Sequence, residues 1–220
     1  VYSENGQLIG EYALEKRMFI PFDSIPEKVI NSFLSAEDKN FFEHPGVDAR
    51  GVTRAVIKNI RNILSDKRLE GASTITQQVA KNFLLTNEVS LKRKIKEAIL
   101  AFRIEKAYSK KRILELYLNE IYLGKGTYGV ASASLEYFNK SVKELNYEEA
   151  ALLAALPKAP SKYNPYKSID LATKRRNMVL NNLKENGYIS NKEFKKFLKK
   201  KIVLNKREIY LIKEAQSYTE

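Results

Sequence analysis

The run Ala150-Ala151-Leu152-Leu153-Ala154-Ala155-Leu156 constrains the fold more than any other stretch of this 220-residue chain, because every position in it is apolar. Asn146 is placed as a helix N-cap, Glu149 three residues on closes a capping box, and Pro157 ends the run. A helix that is apolar on all sides cannot lie at a surface; it has to be a central element that others cover. The covering helices are legible in turn. Ser24 as cap, Pro26 in the first turn and Glu27 closing a box open a helix with Val29, Ile30, Phe33 and Leu34 on one face. Ala49 to Leu64 has an apolar face of Val52, Val56, Ile57, Ile60, Ile63 and Leu64 and a basic one of Arg54, Lys58 and Arg61, which reads either as a surface helix packed on the core or as a flap that docks on anionic lipid. Ser90 caps a helix to about Tyr108, with Leu91, Ile95, Ile99, Phe102 and Ile104 as its apolar positions. Further helices run from the Ser109 cap to a stop at Gly124, from Asp170 to about Asn186 before Gly187, and from Ser190 to Lys200 with a box at Glu193. Strand signals are confined to a leading segment, 1–21, with a turn at Glu4-Asn5-Gly6, and to Glu208–Ile212 in the tail. The expected class is mainly α with a few peripheral strands.

The absence of cysteine excludes disulfides, thiol chemistry and cysteine metal sites. A net charge of +13 favours an anionic partner: nucleic acid, a phosphorylated substrate or an acidic membrane surface. No apolar run reaches the ~20 residues needed to span a bilayer. The chain opens in mid-element without a signal peptide, as a piece of something longer would.

The chemistry concentrates in Glu37-Asp38-Lys39-Asn40-Phe41-Phe42-Glu43-His44-Pro45-Gly46-Val47-Asp48, which holds several carboxylates, the only histidine and a Pro-Gly turn. Glu37 lies four residues after Phe33 and seven after Ile30, so helical spacing puts it on the apolar stripe. A carboxylate there is partly desolvated and its pKa rises, the condition of a general acid or base near neutral pH. The plainer reading is a Glu at a helix end snorkelling to water. His44 is equally read as a structural residue steadying the Pro45-Gly46 turn. Gly71-Ala72-Ser73-Thr74-Ile75-Thr76-Gln77-Gln78, running on to Lys81 and Asn82, leads small and hydroxylated residues into a helix start, where anions bind, though Ser and Thr are also ordinary caps. Arg93 and Lys94 stand four and three residues before Glu97; an ion pair on a solvated helix face is the alternative reading.

Taken in order, Glu37-Asp38-x-x-Phe41-x-x-His44-x-Gly46, Gly71 to Gln78, Arg93-Lys94-x-x-Glu97, Ile113-Leu114-Glu115-x-Tyr117-Leu118-Asn119, and Ala150 to Pro157 with Lys158-Ala159-Pro160 resemble the five motifs of the peptidoglycan glycosyltransferase domain found in class A penicillin-binding proteins and monofunctional transglycosylases. The resemblance covers about Phe22 to Arg176 and departs at Ala72, where the family usually has glycine. It implies a lysozyme-like helical fold over 22–200, with a larger globular lobe and a smaller membrane-facing lobe. The implied activity is polymerisation of lipid II with inversion at the anomeric carbon and release of undecaprenyl pyrophosphate. By the same resemblance Glu37 and Glu97 are the catalytic pair. Asp38, Phe41, His44, Ser73, Thr74, Thr76, Gln77, Gln78, Lys81, Asn82, Arg93 and Lys94 then bind substrate. Glu97 would orient Arg93 or Lys94 or hold a divalent cation such as Mg2+; no organic cofactor is expected. The implied partners are lipid II, the growing lipid-linked glycan, an anionic membrane surface and a transpeptidase domain reached through a linker beginning at 201–220. The implied location is the outer face of the bacterial cytoplasmic membrane, with an N-terminal anchor outside this chain. Two other classes compete. A glycan-cleaving lysozyme or lytic transglycosylase would share the acid and the fold without needing the cations. A basic membrane- or nucleic-acid-binding module would explain the charge, but the chain lacks the aromatic platform or recognition motif that nucleic-acid binding uses.

Overall fold

The computed structural model describes residues 15–64, 73–84 and 90–205. Nine α-helices lie among the described residues: α1 (Glu27–Glu37), α2 (Ala49–Leu64), α3 (Ile75–Leu84), α4 (Leu91–Ala107), α5 (Lys110–Glu120), α6 (Val130–Phe138), α7 (Tyr147–Ala155), α8 (Ile169–Glu185) and α9 (Asn191–Leu198). Two two-residue strands, β1 (Lys16–Arg17) and β2 (Thr127–Tyr128), pair in parallel, Lys16 opposite Thr127. The chain is therefore mainly α, as its sequence pattern requires.

Helix α7 is the buried axis. Asn146 Oδ1 accepts from the Glu149 amide at 2.9 Å, and a Glu149 carboxylate oxygen accepts from the Asn146 amide at 3.0 Å, the capping box expected from sequence. From Ala150 to Ala155 no side chain is more than 1% exposed. Helices α1 and α8 cover α7 and each other, α9 closes over α8, and α3 packs between α4 and α5. Phe33 and Tyr117, edge to face at 6.2 Å between centroids, join α1 to α5 in the same core.

Several boundaries differ from the sequence reading, each for a local reason. Ser24 closes a 3-10 turn (Phe22–Ser24), and the cap of α1 is Pro26, whose carbonyl accepts from the Val29 and Ile30 amides. The intervening Ile25 is extended and buried, so the chain enters the core before it coils. Helix α5 stops at Glu120, four residues before Gly124: Ile121 leaves the helix extended, Tyr122 bridges to Tyr128, and the Gly129 amide donates to the Ile121 carbonyl. Gly129 (φ 80) admits this return because a Cβ there would lie 2.3 Å from the Asn119 carbonyl oxygen. The cap of α8 is Ser168, accepting from the Leu171 amide.

The largest difference is in α4. Of its apolar positions, Ile95, Ile99 and Phe102 are 57%, 49% and 43% exposed, while Glu97 and Ala101 are buried. The inward face must be narrow where the Pro45-Gly46 turn crosses it: a Cβ on Gly46 would come within 3.0 Å of the Ala101 backbone. Ala101 fits that crossing and an isoleucine would not. The turn expected at Glu4-Asn5-Gly6 and the strand at Glu208–Ile212 lie outside the described residues.

Leu153→Ala, in the axis of the core, should cost ~2–5 kcal/mol of unfolding free energy. Ile99→Ala, on the exposed stripe, should stay within ~0.5 kcal/mol. Urea denaturation of the two variants checks the assignment of inside and outside.

Candidate active site

Glu37 ends α1. Phe33 and Leu34 in the preceding turn are locked in the core, so the carboxylate has little freedom and is only partly exposed. It opens on a cavity of about 560 Å³. The cavity is lined by the end of α1 with Asp38 and Lys39, by Asp48 with Gly51 and Arg54 from the start of α2, by Ser73 and Thr74 leading into α3, and by Asn182, Glu185 and Asn186 at the end of α8. The Gln78 side-chain amide donates to Glu37 Oε2 at 2.9 Å. Burial pushes the Glu37 carboxyl above the ordinary glutamate value; the Gln78 hydrogen bond and the positive charges of Arg175 and Lys158 pull it back, and Asp38 adds a smaller upward push. The result is a carboxylate made more basic than usual and held in one place.

Asp38, next in sequence, is turned the other way. One of its oxygens accepts from the Ile75 amide at 2.9 Å, and both lie 3.0 Å from His44 Nε2. The Gly46 amide donates to His44 Nδ1, so the ring proton sits on Nε2 and is donated to Asp38. The start of α3 is otherwise occupied by its own residues. Gln77 Oε1 accepts from the Thr74 amide, and Thr74 Oγ1 accepts from the Gln77 amide while donating to the Gly46 carbonyl. Thr76 Oγ1 donates to Glu105. The anion at this helix N-terminus is therefore Asp38 of the protein itself.

The residues singled out by sequence thus divide by position. Asp38, Ser73 and Thr74 line the cavity with Glu37, and Gln78 reaches Glu37 directly. Phe41, His44, Thr76 and Gln77 are buried outside the lining and hold the Asp38 loop and the α3 start. Lys81 and Asn82 are exposed, three and four residues beyond Gln78 and so on its side of α3. Lys94 donates to Ser73 Oγ at 2.8 Å and pairs with Glu97 Oε2. Arg93 Nε stands 3.1 Å from Glu97 Oε1 without hydrogen-bond alignment. Glu97 is 1% exposed while the Lys94 side chain is 49% exposed, so the acid of the pair is buried and its lysine reaches solvent, unlike the fully solvated pair that the spacing also allowed. Its effect is to fix Lys94 against the cavity wall at Ser73.

Glu97 does not fit a divalent cation in this arrangement. Both of its oxygens already face cations, and no cluster of three or more acidic or histidine side chains able to hold a metal lies among the described residues.

Sequence reasoning missed Asp48, Arg54, Asn182, Glu185 and Asn186 as cavity residues. Asp48 carried a local signal, since its carboxylate caps α2 through the Gly51 amide at 2.9 Å. The α8 residues carried none: Asn182 and Asn186 bond Ser35 across sequence separations of 147 and 151.

The sequence model of the family described as Transglycosylase matches residues 5–184. Penicillin-binding protein 1A of Rickettsia felis is 55% identical over 207 residues, which cover 94% of this chain and 26% of that protein. Penicillin-binding protein 1A of Aquifex aeolicus is 49% identical over 210 residues, covering 96% of this chain and 28% of that one. A crystal structure of Penicillin-Binding Protein 1A from Haemophilus influenzae superposes with a TM-score of 0.55 at 28% identity, over 95% of this chain and 21% of the other. The chain spans about a quarter of the length of these curated relatives. With the family matched over most of its length and the motif residues Glu37, Asp38, Ser73 and Thr74 lining one polar cavity, the chain belongs to the transglycosylase family, the peptidoglycan glycosyltransferases that its sequence motifs resemble.

Proposed function

We propose that this domain joins lipid II units into glycan strands. In this reading Glu37 takes the proton from the acceptor sugar hydroxyl as that oxygen attacks the anomeric carbon of the donor from the face opposite the leaving group. The carbon inverts and undecaprenyl pyrophosphate departs with the bonding electron pair. The observation that carries the reading is the Glu37 carboxylate, raised in pKa by burial and oriented by Gln78, at a cavity also lined by Ser73, whose hydroxyl accepts from Lys94. A pyrophosphate leaves as an anion and needs positive charge in place of a proton donor; Lys94, Arg93 and Lys81 are the cations assigned to it. A glycan-cleaving reaction would instead use Glu37 as the acid that protonates a sugar leaving oxygen and would have no need of those cations, so the Lys94 ammonium held at Ser73 favours the polymerising reaction.

Labelled lipid II should give a polymer that lysozyme digests. Glu37→Gln should lower the rate at least ~100-fold. It should melt no lower than wild type at neutral pH, since the amide keeps the Gln78 bond and removes a desolvated charge. More than a tenth of wild-type activity in that variant contradicts the assignment.

The pH dependence follows from the same group. A base must be ionised, so activity rises with pH through the Glu37 pKa, and the acid limb should lie above the ordinary carboxylate range. Gln78→Leu removes a bond that favours the ionised form, so the limb should move further up; a limb that moves down contradicts the pairing.

We further infer that the domain works at an anionic membrane, with its parent on the outer face of the cytoplasmic membrane, anchored outside this chain and carrying a transpeptidase domain. No helix among the described residues is long and apolar enough to cross a bilayer. The surface we assign to the contact is on α4, where Ile95, Ile99 and Phe102 form an exposed stripe at helical spacing, with exposed Lys92, Lys96, Arg103 and Lys106 about it. The sequence pointed to α2 for this role. Val52 and Arg54 of α2 are exposed, while the side chains of Val56, Ile57 and Ile60 lie outside the described residues. Ile99→Asp should leave the melting temperature within a few degrees and reduce co-sedimentation with phosphatidylglycerol vesicles, and added salt should weaken wild-type binding. Unchanged co-sedimentation would move the contact off α4.

A further inference from the structure

We propose that Glu105 and Lys110, which do not line the cavity, form a clamp that sets the position of Glu37, acting as positioning residues for the transfer reaction. The inference rests on the reading of Glu37 as the base. Glu105 lies near the end of α4 with a side chain 9% exposed, and Lys110 opens α5 with a side chain 21% exposed. A single carboxylate oxygen of Glu105 accepts from Thr76 Oγ1 at 2.5 Å and from Lys110 Nζ at 2.7 Å. The same ammonium donates to the His44 carbonyl at 2.6 Å and lies 4.4 Å from the centroid of the Phe41 ring. One ion pair therefore touches the first turn of α3 through Thr76 and the Phe41–His44 loop through Lys110.

Those two contacts bear on the base from both sides. His44 fixes Asp38, Asp38 fixes the Ile75 amide, and α3 then presents Gln78 to Glu37. The loop also rests on the pair at Gly46 (φ 103), which sits against the Ala101 backbone and the Glu105 side chain, where a Cβ would meet atoms at 3.0 and 3.1 Å, and whose carbonyl is tied to the α3 start by Thr74. Loss of the ion pair would free the loop and the α3 start to shift relative to α1. Displacement of a reacting group by about 1 Å can cost ~10²-fold in rate with binding little changed.

The test uses Glu105→Gln, Lys110→Met and the double variant, each assayed below its own melting temperature. Glu105→Gln keeps an acceptor for Thr76 but leaves the ammonium without its partner. The double variant has no unpaired charge and keeps an apolar side chain over Phe41, so it should regain most of the melting temperature that either single change loses. We expect kcat for lipid II polymerisation to fall about tenfold or more in all three, with KM within about twofold. The loss in the double variant should be no greater than in the worse single one, because the pair acts as a unit. Amide exchange at Ile75 should quicken in all three while that of the α7 amides is unchanged. The proposal is overturned if kcat is unchanged, if KM carries the loss, or if activity returns with the melting temperature in the double variant. Unchanged exchange at Ile75 also overturns it. Were wild type itself to make no polymer, the proposed function would fall, and the Ile75 exchange would still decide whether the clamp exists.

Discussion

The carboxylate of Asp38 ties the end of α1 to the start of α3, and the site depends on that tie. Its oxygens meet the Ile75 amide and the His44 ring within 3.0 Å in a pocket where all three are buried. A charge-assisted bond to a helix N-terminus in such a place is strong, and leaving either partner unpaired would be costly. Because Glu37 is the adjacent residue, the direction in which Asp38 is held decides the direction in which Glu37 points. Two neighbouring acids thereby take separate roles, Asp38 anchoring a helix while Glu37 is left at the cavity with the Gln78 hydrogen bond.

That division places the reactive group at an energetic disadvantage that the rest of the fold carries. Burial raises Glu37 in pKa because its ionised form is poorly solvated. The nearby Tyr117 phenol is fully buried and pushed well up, by burial first and then by the charges of Glu37 and Asp38. Helix α7, with no polar side chain between Ala150 and Leu156, supplies the cohesive core against which α1 is held in spite of this. The Arg93, Lys94 and Glu97 cluster makes the complementary arrangement behind Ser73 of the same cavity. A buried acid restrains two cations, so Lys94 stands at Ser73 without having to be drawn in by substrate.

Much of this was legible in the sequence, and the boundary of legibility has physical causes. The caps at Ser90, Ser109, Asn146 and Ser190 were readable because each is a local hydrogen-bond pattern within four residues, and each forms as written. Glu37 was readable because helical period alone puts it beside Phe33. The inward face of α4 was not: Ile95, Ile99 and Phe102 look like core, yet they face out and Ile104 alone of the isoleucines packs on it, because the Gly46 turn demands a small residue at Ala101. Nor could the sequence show that the α3 start is filled by Asp38, since that bond joins residues 37 apart. The α8 wall of the cavity depends on contacts longer still, and no period or cap announces it.

The central claim is that Glu37 is a basic, positioned carboxylate, and carboxyl titration by carbon-13 NMR tests it most directly. In protein labelled at the glutamate side-chain carboxyl, the resonance absent from Glu37→Gln belongs to Glu37. It should titrate above the ordinary glutamate range while Glu144 and Glu193, whose carboxyls the Ser141 and Ser190 capping groups hold low, titrate below it. A Glu37 resonance that titrates with or below those two would contradict the account.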